Sequence, residues 1–184
     1  MVAVDPGKGG NSMAADLEAR VRELESAVRE LNDREALRDL RYRYHEYINE
    51  GKFANIVDLF TDDGELEFGP LGKAKGKDGI LGFFKRLGPP SPGTPSGNSP
   101  HFTFVKQYIH NHVVEIHGDR AKGFSYLEAR PIINGEAHMV AGKYDDEYLK
   151  VGGRWRFTRM TFTPHFIVPF KEGWANDERV KLGK

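Results

Sequence analysis

The chain has no cysteine, which excludes disulfides, thiolate catalysis and zinc held by sulfur. It has no long apolar run either, so no segment reads as a membrane span, and its first residues lack the apolar core of a secretory signal. Net charge is missing as well. Twenty-seven basic residues balance 27 acidic ones, so no general basic field exists to hold nucleic acid. No Gly-x-Ser-x-Gly or phosphate-binding loop occurs, and Gly7–Gly10 is too short and has no strand before it, which removes nucleotide and dinucleotide chemistry. What remains is a chain of 184 residues, 29% of them charged, long enough for one domain with a real core and expected to be cytoplasmic.

The stretch Arg41–Lys52, RYRYHEYINEGK, organises the reading. Tyrosines, a histidine and an asparagine crowd the end of a helix that Gly51 stops. Such groups facing a later sheet suit a small-molecule pocket; a helix with Tyr42 or Tyr44 in the core and His45 and Glu46 in water is the equal alternative. Upstream, Leu17, Val21, Leu24, Val28 and Leu31 follow a four-three spacing and form a narrow apolar seam. It docks on its own domain or on a second subunit, and packing at a subunit interface is the favoured reading. Asn32-Asp33 offers a cap, after which Arg34 onward reads as a second helix. Phe53–Phe60 reads as a short helix, Thr61–Gly64 as a turn, and Ile80, Leu81, Phe83, Phe84 and Leu87 as the apolar face of another helix. The proline- and glycine-rich stretch 88–100 is a loop, a lid or more simply a solvated connection.

Four long strands follow, over 102–116, 121–133, 137–151 and 154–166, with Asn134-Gly135 and Gly152-Gly153 as turns. Helices followed by such strands predict an α+β fold: a cone-shaped, curved, mixed or antiparallel sheet wrapped around N-terminal helices, an α+β barrel. The expected division is a flexible leader over 1–14, one domain over 15–168 and a tail over 169–184. A cone of this kind encloses a site for a small apolar ligand without a cofactor. Among candidate groups, His110 and His112 stand at i, i+2, a spacing able to bind metal, but no carboxylate-rich motif supports a metal. Glu128 shares a strand face with Phe124 and Tyr126. It reads as an acid or base of raised pKa, or as the ion-pair partner of Arg130 or Arg159.

The order of these elements, with the motifs LEARVRELESAVRELNDREALRDLRYRY, INEGKFANIVDLFTDDGELEF, KGKDGILGFF, NHVVEIHGDRAKGFSYLEA and YDDEYLKVGGRWRFTRM, resembles the SnoaL-like members of the nuclear-transport-factor-2-like superfamily. The pattern is nearest to bile acid 7α-dehydratase and scytalone dehydratase, and the likeness runs from about Leu17 to Phe166. It implies an α+β barrel that usually forms dimers or trimers, with elimination by a histidine polarised by an aspartate and helped by a tyrosine. The tyrosine position falls on Tyr44, but the aspartate position falls on Asn49 and the histidine position on Gln107. A further acidic position falls on Ala129. An amide takes no proton at neutral pH, so the usual dyad is replaced. A displaced register brings His110 or Glu128 into play.

Two functions follow. One is a cofactor-independent lyase, isomerase or cyclase acting on a polycyclic or aromatic substrate. Tyr44 is then acid or donor, His110 (or His138) the base, and Asn49 and Gln107 orient the substrate oxygen, with Tyr126, Glu128 and His138 completing the substrate site. The other is a non-catalytic binding module using the same cavity. Both expect a small hydrophobic ligand, a homo-oligomer, and neither metal nor cofactor, nucleic acid nor membrane.

Overall fold

The computed structural model describes residues 8–88, 100–175 and 180, with side chains from Met13 onward. The chain forms two compact units, Met1–Glu35 and Ala36–Lys184. Helix α1 spans Lys8–Asn49, starting inside the expected leader and running through the cap expected at Asn32-Asp33. Asn and Asp disfavour a helix interior by under about 1 kcal/mol each, far less than a proline would. Here Arg34 also donates to Glu30 Oε1 from Nε (3.1 Å) and Nη2 (2.7 Å), one turn apart, which holds the helix across the gap.

In the second unit α1 buries Leu37, Leu40, Arg41, Tyr44, His45 and Ile48, a stripe of one-turn spacing. Its end follows the sequence expectation. Gly51, at φ 67°, takes the left-handed conformation, and the amides of Gly51 and Lys52 close on the carbonyls of Ile48 (3.1 Å) and Tyr47 (2.8 Å), a Schellman cap. Helix α2 (Phe53–Ile56) and a 3-10 turn (Val57–Leu59) lead into strand β1 (Phe60–Glu67). The expected turn at Thr61–Gly64 is instead an irregularity within β1, where the pairing register shifts between Phe60 and Glu65. Strand β2 (Lys73–Lys75) and helix α3 (Gly76–Leu87) follow, and α3 buries Ile80, Phe83, Phe84 and Leu87. Of the stretch 88–100 read as a loop or lid, residues 89–99 lie outside the described residues.

The first two expected strands each come apart. Phe102–Ile116 divides into β3 (Phe102–Phe104), β4 (Gln107–Ile109) and β5 (Val113–His117). Next come β6 (Arg120–Ala129) and β7 (Ile132–Ile133), separated at Pro131, which has no amide to give a ladder. Between β4 and β5, Asn111 Oδ1 accepts the Tyr126 amide at 2.8 Å, a side chain standing in for backbone. The long strands β8 (Glu136–Val151) and β9 (Arg154–Pro169) match expectation, as does the turn at Asn134-Gly135, both residues at positive φ. The sheet runs β2-β1-β9-β8-β6-β4, with β5 also on β6 and β7 bridging β8 and β3. β1 pairs with β9 in parallel and the other pairs among these strands are antiparallel, so the curved sheet is mixed; a single parallel bridge also joins Ile167 to Val180.

Two register shifts between β8 and β9, at Ala141/Gly142 and Glu147/Tyr148, bend these 16-residue strands over the helices. At the first, Gly142 has no Cβ because the Phe162 ring and the Thr163 carbonyl oxygen occupy its place. Just past β9 the chain turns back on that strand, Trp174 stacking on Phe166 with ring centroids 5.3 Å apart. Gly142→Ala is expected to lower unfolding stability by about 1–3 kcal/mol through overpacking. Gly79→Ala, on α3 with open space at its Cβ, is expected to raise it by about 0.5–1 kcal/mol. Urea titrations of both variants check the pair.

Candidate functional site

A cavity opens between the end of α1, α3 and the concave face of the sheet, with about 710 Å³ of space free of protein atoms, its mouth included. Its walls are apolar side chains from every layer, among them Ile48, Phe53, Phe84, Leu127, Val140 and Phe162. Only Tyr44, Tyr144 and Gln107 bring polar side-chain groups to the described lining. They come from three places the fold brings together: Tyr44 from the buried stripe of α1, Tyr144 from the inward face of β8, and Gln107 from the start of β4.

The Tyr44 hydroxyl is buried and has no hydrogen-bond partner of ordinary geometry among the described residues. Its ring meets Tyr144 edge to face, centroids 5.9 Å apart. Burial first, then the neighbouring Tyr144, pushes Tyr44 well above the usual phenol range, and burial pushes Tyr144 up to about 12. Both are therefore protonated donors at neutral pH. Gln107 is held from behind. Its side-chain oxygen accepts from His45 Nδ1 at 3.0 Å, while its backbone is clamped by Asn49, whose Nδ2 donates to the Gln107 carbonyl (2.9 Å) and whose Oδ1 accepts the Gln107 amide (2.7 Å). With Nδ1 carrying the proton, the His45 Nε2 lone pair is buried and without a partner among the described residues. Burial, then the Arg41 charge, lowers His45 to about 3. It is a neutral imidazole and a poor base.

Beneath the tyrosines lies a charged layer. Arg41 and Asp146, both without solvent exposure, form an ion pair from Nη2 to Oδ2. The guanidinium carbon sits 4.5 Å from the Tyr144 ring centroid, 4.9 Å from Phe157 and 5.3 Å from Tyr44, a cation enclosed by aromatic faces. Tyr148 donates to Asp146 Oδ2 at 2.8 Å. Having given its one proton there, the Tyr148 oxygen accepts from His112 Nε2 at 3.0 Å. Burial, with Arg41 and Arg38, lowers His112 to about 4. Burial lifts Asp146 above the ordinary carboxylate value, offset in part by Arg41 and by the bond from Tyr148.

Of the residues the sequence singled out, Tyr44 and Gln107 line the cavity, and Asn49 clamps Gln107 rather than facing it. The others stand elsewhere. His110 is exposed in the link after β4, because the chain leaves the strand at Ile109. Its supposed strand partner His112 is engaged by Tyr148, and no group of three metal-ligating side chains occurs among the described residues. Tyr126 is 42% exposed, since alternation on β6 turns Ser125 and Leu127 inward instead. Glu128, on that outer face, lies 3.7 Å from Arg130, as its ion-pair reading expected. His138 is buried, its Nδ1 donating to the Glu136 carbonyl at 2.9 Å, away from the described lining. The sequence reading passed over Arg41, Tyr144, Asp146 and Tyr148, and its alternative that set His45 in water is overturned, since His45 is buried on the core-facing stripe of α1. Their signal was spacing: i, i+3, i+4 for Arg41, Tyr44 and His45, and strict alternation for Tyr144, Asp146 and Tyr148.

Two measurements check this geometry. Asp146→Ala leaves a buried guanidinium unpaired and is expected to cost about 3–5 kcal/mol of stability, whereas Arg41→Met combined with Asp146→Leu restores most of it. For His45 the folded value of about 3 lies below the ordinary 6.5. Between those values the unfolded chain binds a proton that the folded chain refuses. The stabilisation is therefore complete above pH 6.5 and is lost as pH falls through about 3. Urea midpoints measured stepwise from pH 7 to pH 3 are expected to fall less steeply in His45→Gln than in the parent protein.

Residues 29–161 match the family model described as the SnoaL-like domain. No curated protein matches the sequence. Among solved structures, hexachlorocyclohexane dehydrochlorinase (LinA) type 2 is 17% identical, with a TM-score of 0.68 over 78% of this chain and 93% of that one. A scytalone dehydratase-like protein of Novosphingobium aromaticivorans is 18% identical, with a TM-score of 0.64 over 84% and 96%. A nuclear-transport-factor-2-like protein from the same organism, with a cystatin-like fold, is 19% identical, with a TM-score of 0.59 over 77% and 88%. At such identities the neighbours establish the shared fold. The family match spans most of the chain, and the protein belongs to the SnoaL-like domain family, with the cone-shaped α+β fold of the nuclear-transport-factor-2-like proteins.

Proposed function

We propose that the cavity holds a small apolar molecule, aromatic or polycyclic, seated by one oxygen on Tyr44, Tyr144 and Gln107, and that the protein acts on it as a cofactor-independent lyase, isomerase or cyclase. The observation that carries this reading is the Tyr44 hydroxyl, buried at the wall of a largely apolar cavity with no hydrogen-bond partner of ordinary geometry among the described residues. An unmet donor in such a place costs about 1–3 kcal/mol, and a ligand oxygen relieves that cost. With a ligand oxygen set on them, two protonated tyrosines polarise a carbonyl and stabilise negative charge developing on it. The Arg41 cation behind their rings favours the same charge. Asn49 and Gln107 stand in contact where the family resemblance puts its proton-abstracting dyad, and neither amide takes a proton. The reaction this site suits is one driven by hydrogen-bond polarisation and confinement rather than by a strong base.

A second reading, a non-catalytic binding module, is favoured by one observation: among the described residues no imidazole or carboxylate lines the cavity. One experiment separates the two. The protein is titrated with planar aromatic ketones, phenols and their oxygen-free hydrocarbon analogues, and each bound compound is then incubated and followed by mass spectrometry. Oxygen-bearing compounds are expected to bind, and Tyr44→Phe to weaken them about 3- to 10-fold while leaving the hydrocarbons unchanged. Conversion of a bound compound supports the enzyme. Binding without conversion across the panel supports the module, and equal binding of ketone and hydrocarbon by parent and Tyr44→Phe proteins overturns the oxygen site.

A further inference from the structure

The first unit, taken by itself, carries an apolar stripe that no described residue of the unit covers. Leu17, Leu24 and Leu31 are 62–65% exposed, and Val21 and Val28 about half exposed. Isolated apolar residues on a surface are ordinary, but five in one continuous helical line are not. Written as heptads, the leucines take every d position and the valines take a. β-Branched residues at a with leucine at d is the combination that selects two parallel strands over higher states.

The flanking charges make the same choice independently. The positions after the leucines, e, hold Glu18 and Glu25, and the position before Val21, g, holds Arg20. In a parallel pair, g of one chain faces the following e of the other, so Arg20 meets Glu25 of the second copy, twice by symmetry. An antiparallel pair sets e against e and brings Glu18 against Glu25, like charges in contact. The remaining outward positions are small or charged, and their one-turn ion pairs, Glu18 with Arg22 (3.8 Å) and Glu25 with Arg29 (3.9 Å), support the helix itself.

We infer that this stripe is covered by the same stripe of a second copy of the chain, as a parallel, in-register, two-stranded coiled coil over residues 14–34. Three heptads make a seam of about 30 Å. The inference is independent of the ligand proposed for the cavity.

The test uses the full chain, whose lack of cysteine leaves any introduced thiol alone. In a parallel pair each d position faces its own copy, so Leu17→Cys and, separately, Leu31→Cys are each expected to form a covalent dimer under mild oxidation. Arg20→Glu is expected to weaken the dimer about tenfold in sedimentation equilibrium, and Arg20→Glu with Glu25→Arg to restore it. Because these side chains are exposed within the first unit, an unchanged unfolding transition of the second unit, followed by near-ultraviolet circular dichroism of its buried tyrosines, certifies that each variant is folded. Cross-linking only in a mixture of the Leu17→Cys and Leu31→Cys proteins would overturn the parallel arrangement. A parent chain that sediments as a monomer, or a dimer indifferent to both Leu24→Asp and Arg20→Glu, would overturn the inference altogether.

Discussion

Arg41 and Asp146 meet where water does not reach, and the rest of the second unit is arranged around what that requires. Taking both charges out of solvent costs several kcal/mol each, and their attraction repays it only with good geometry and added partners. Three aromatic rings around the guanidinium, the Tyr148 hydroxyl on the carboxylate and the Met160 sulfur 3.9 Å from Nη1 supply those partners. The pair joins one face of α1 to the inward face of β8 at a single register. A slip of one residue on β8 would turn Tyr144, Asp146 and Tyr148 outward together.

That constraint sets the electrostatics of the cavity above it. The cation depresses both nearby imidazoles, His45 and His112, adding to the effect of their burial. Burial at the same time keeps Tyr44 and Tyr144 protonated. The site is therefore a set of neutral donors in apolar surroundings, backed by a buried ion pair. A histidine base of the kind the family resemblance implies would be a weak one here, since the field that disfavours the imidazolium at His45 acts nearby. Amides at positions 49 and 107 suit that field, being neutral at every pH the fold tolerates, and their mutual bonds fix the end of α1 to β4.

The two units follow different physics. The second hides polar groups inside and joins some of them by mutual bonds, leaving others, the Tyr44 hydroxyl among them, unmet by any described residue. The first leaves its apolar residues outside, on a helix whose own i, i+4 ion pairs give only a few tenths of a kcal/mol each. For such a helix, a partner for the apolar stripe is the larger available term.

The sequence by itself determined the fold class, the helix stop at Gly51, the face of α3, the hairpin at Asn134-Gly135 and the two long final strands. Each rests on local periodicity or on a backbone conformation only certain residues accept. It also picked out Tyr44, Asn49 and Gln107, through family pattern rather than spacing. The tertiary structure decided everything that depends on two distant segments meeting. It turned His110 and Tyr126 outward, gave Asn49 to a backbone clamp, and split the first two expected strands where β6 and β8 offered new partners. It also brought Arg41 to Asp146 across 105 positions of chain. Locally, nothing separates Arg41 from its neighbours Arg38 and Arg43, or Asp146 from Asp145 in YDDEY, as anything but a solvated charge. Only burial against each other makes them an ion pair, and burial is a property of the packed chain.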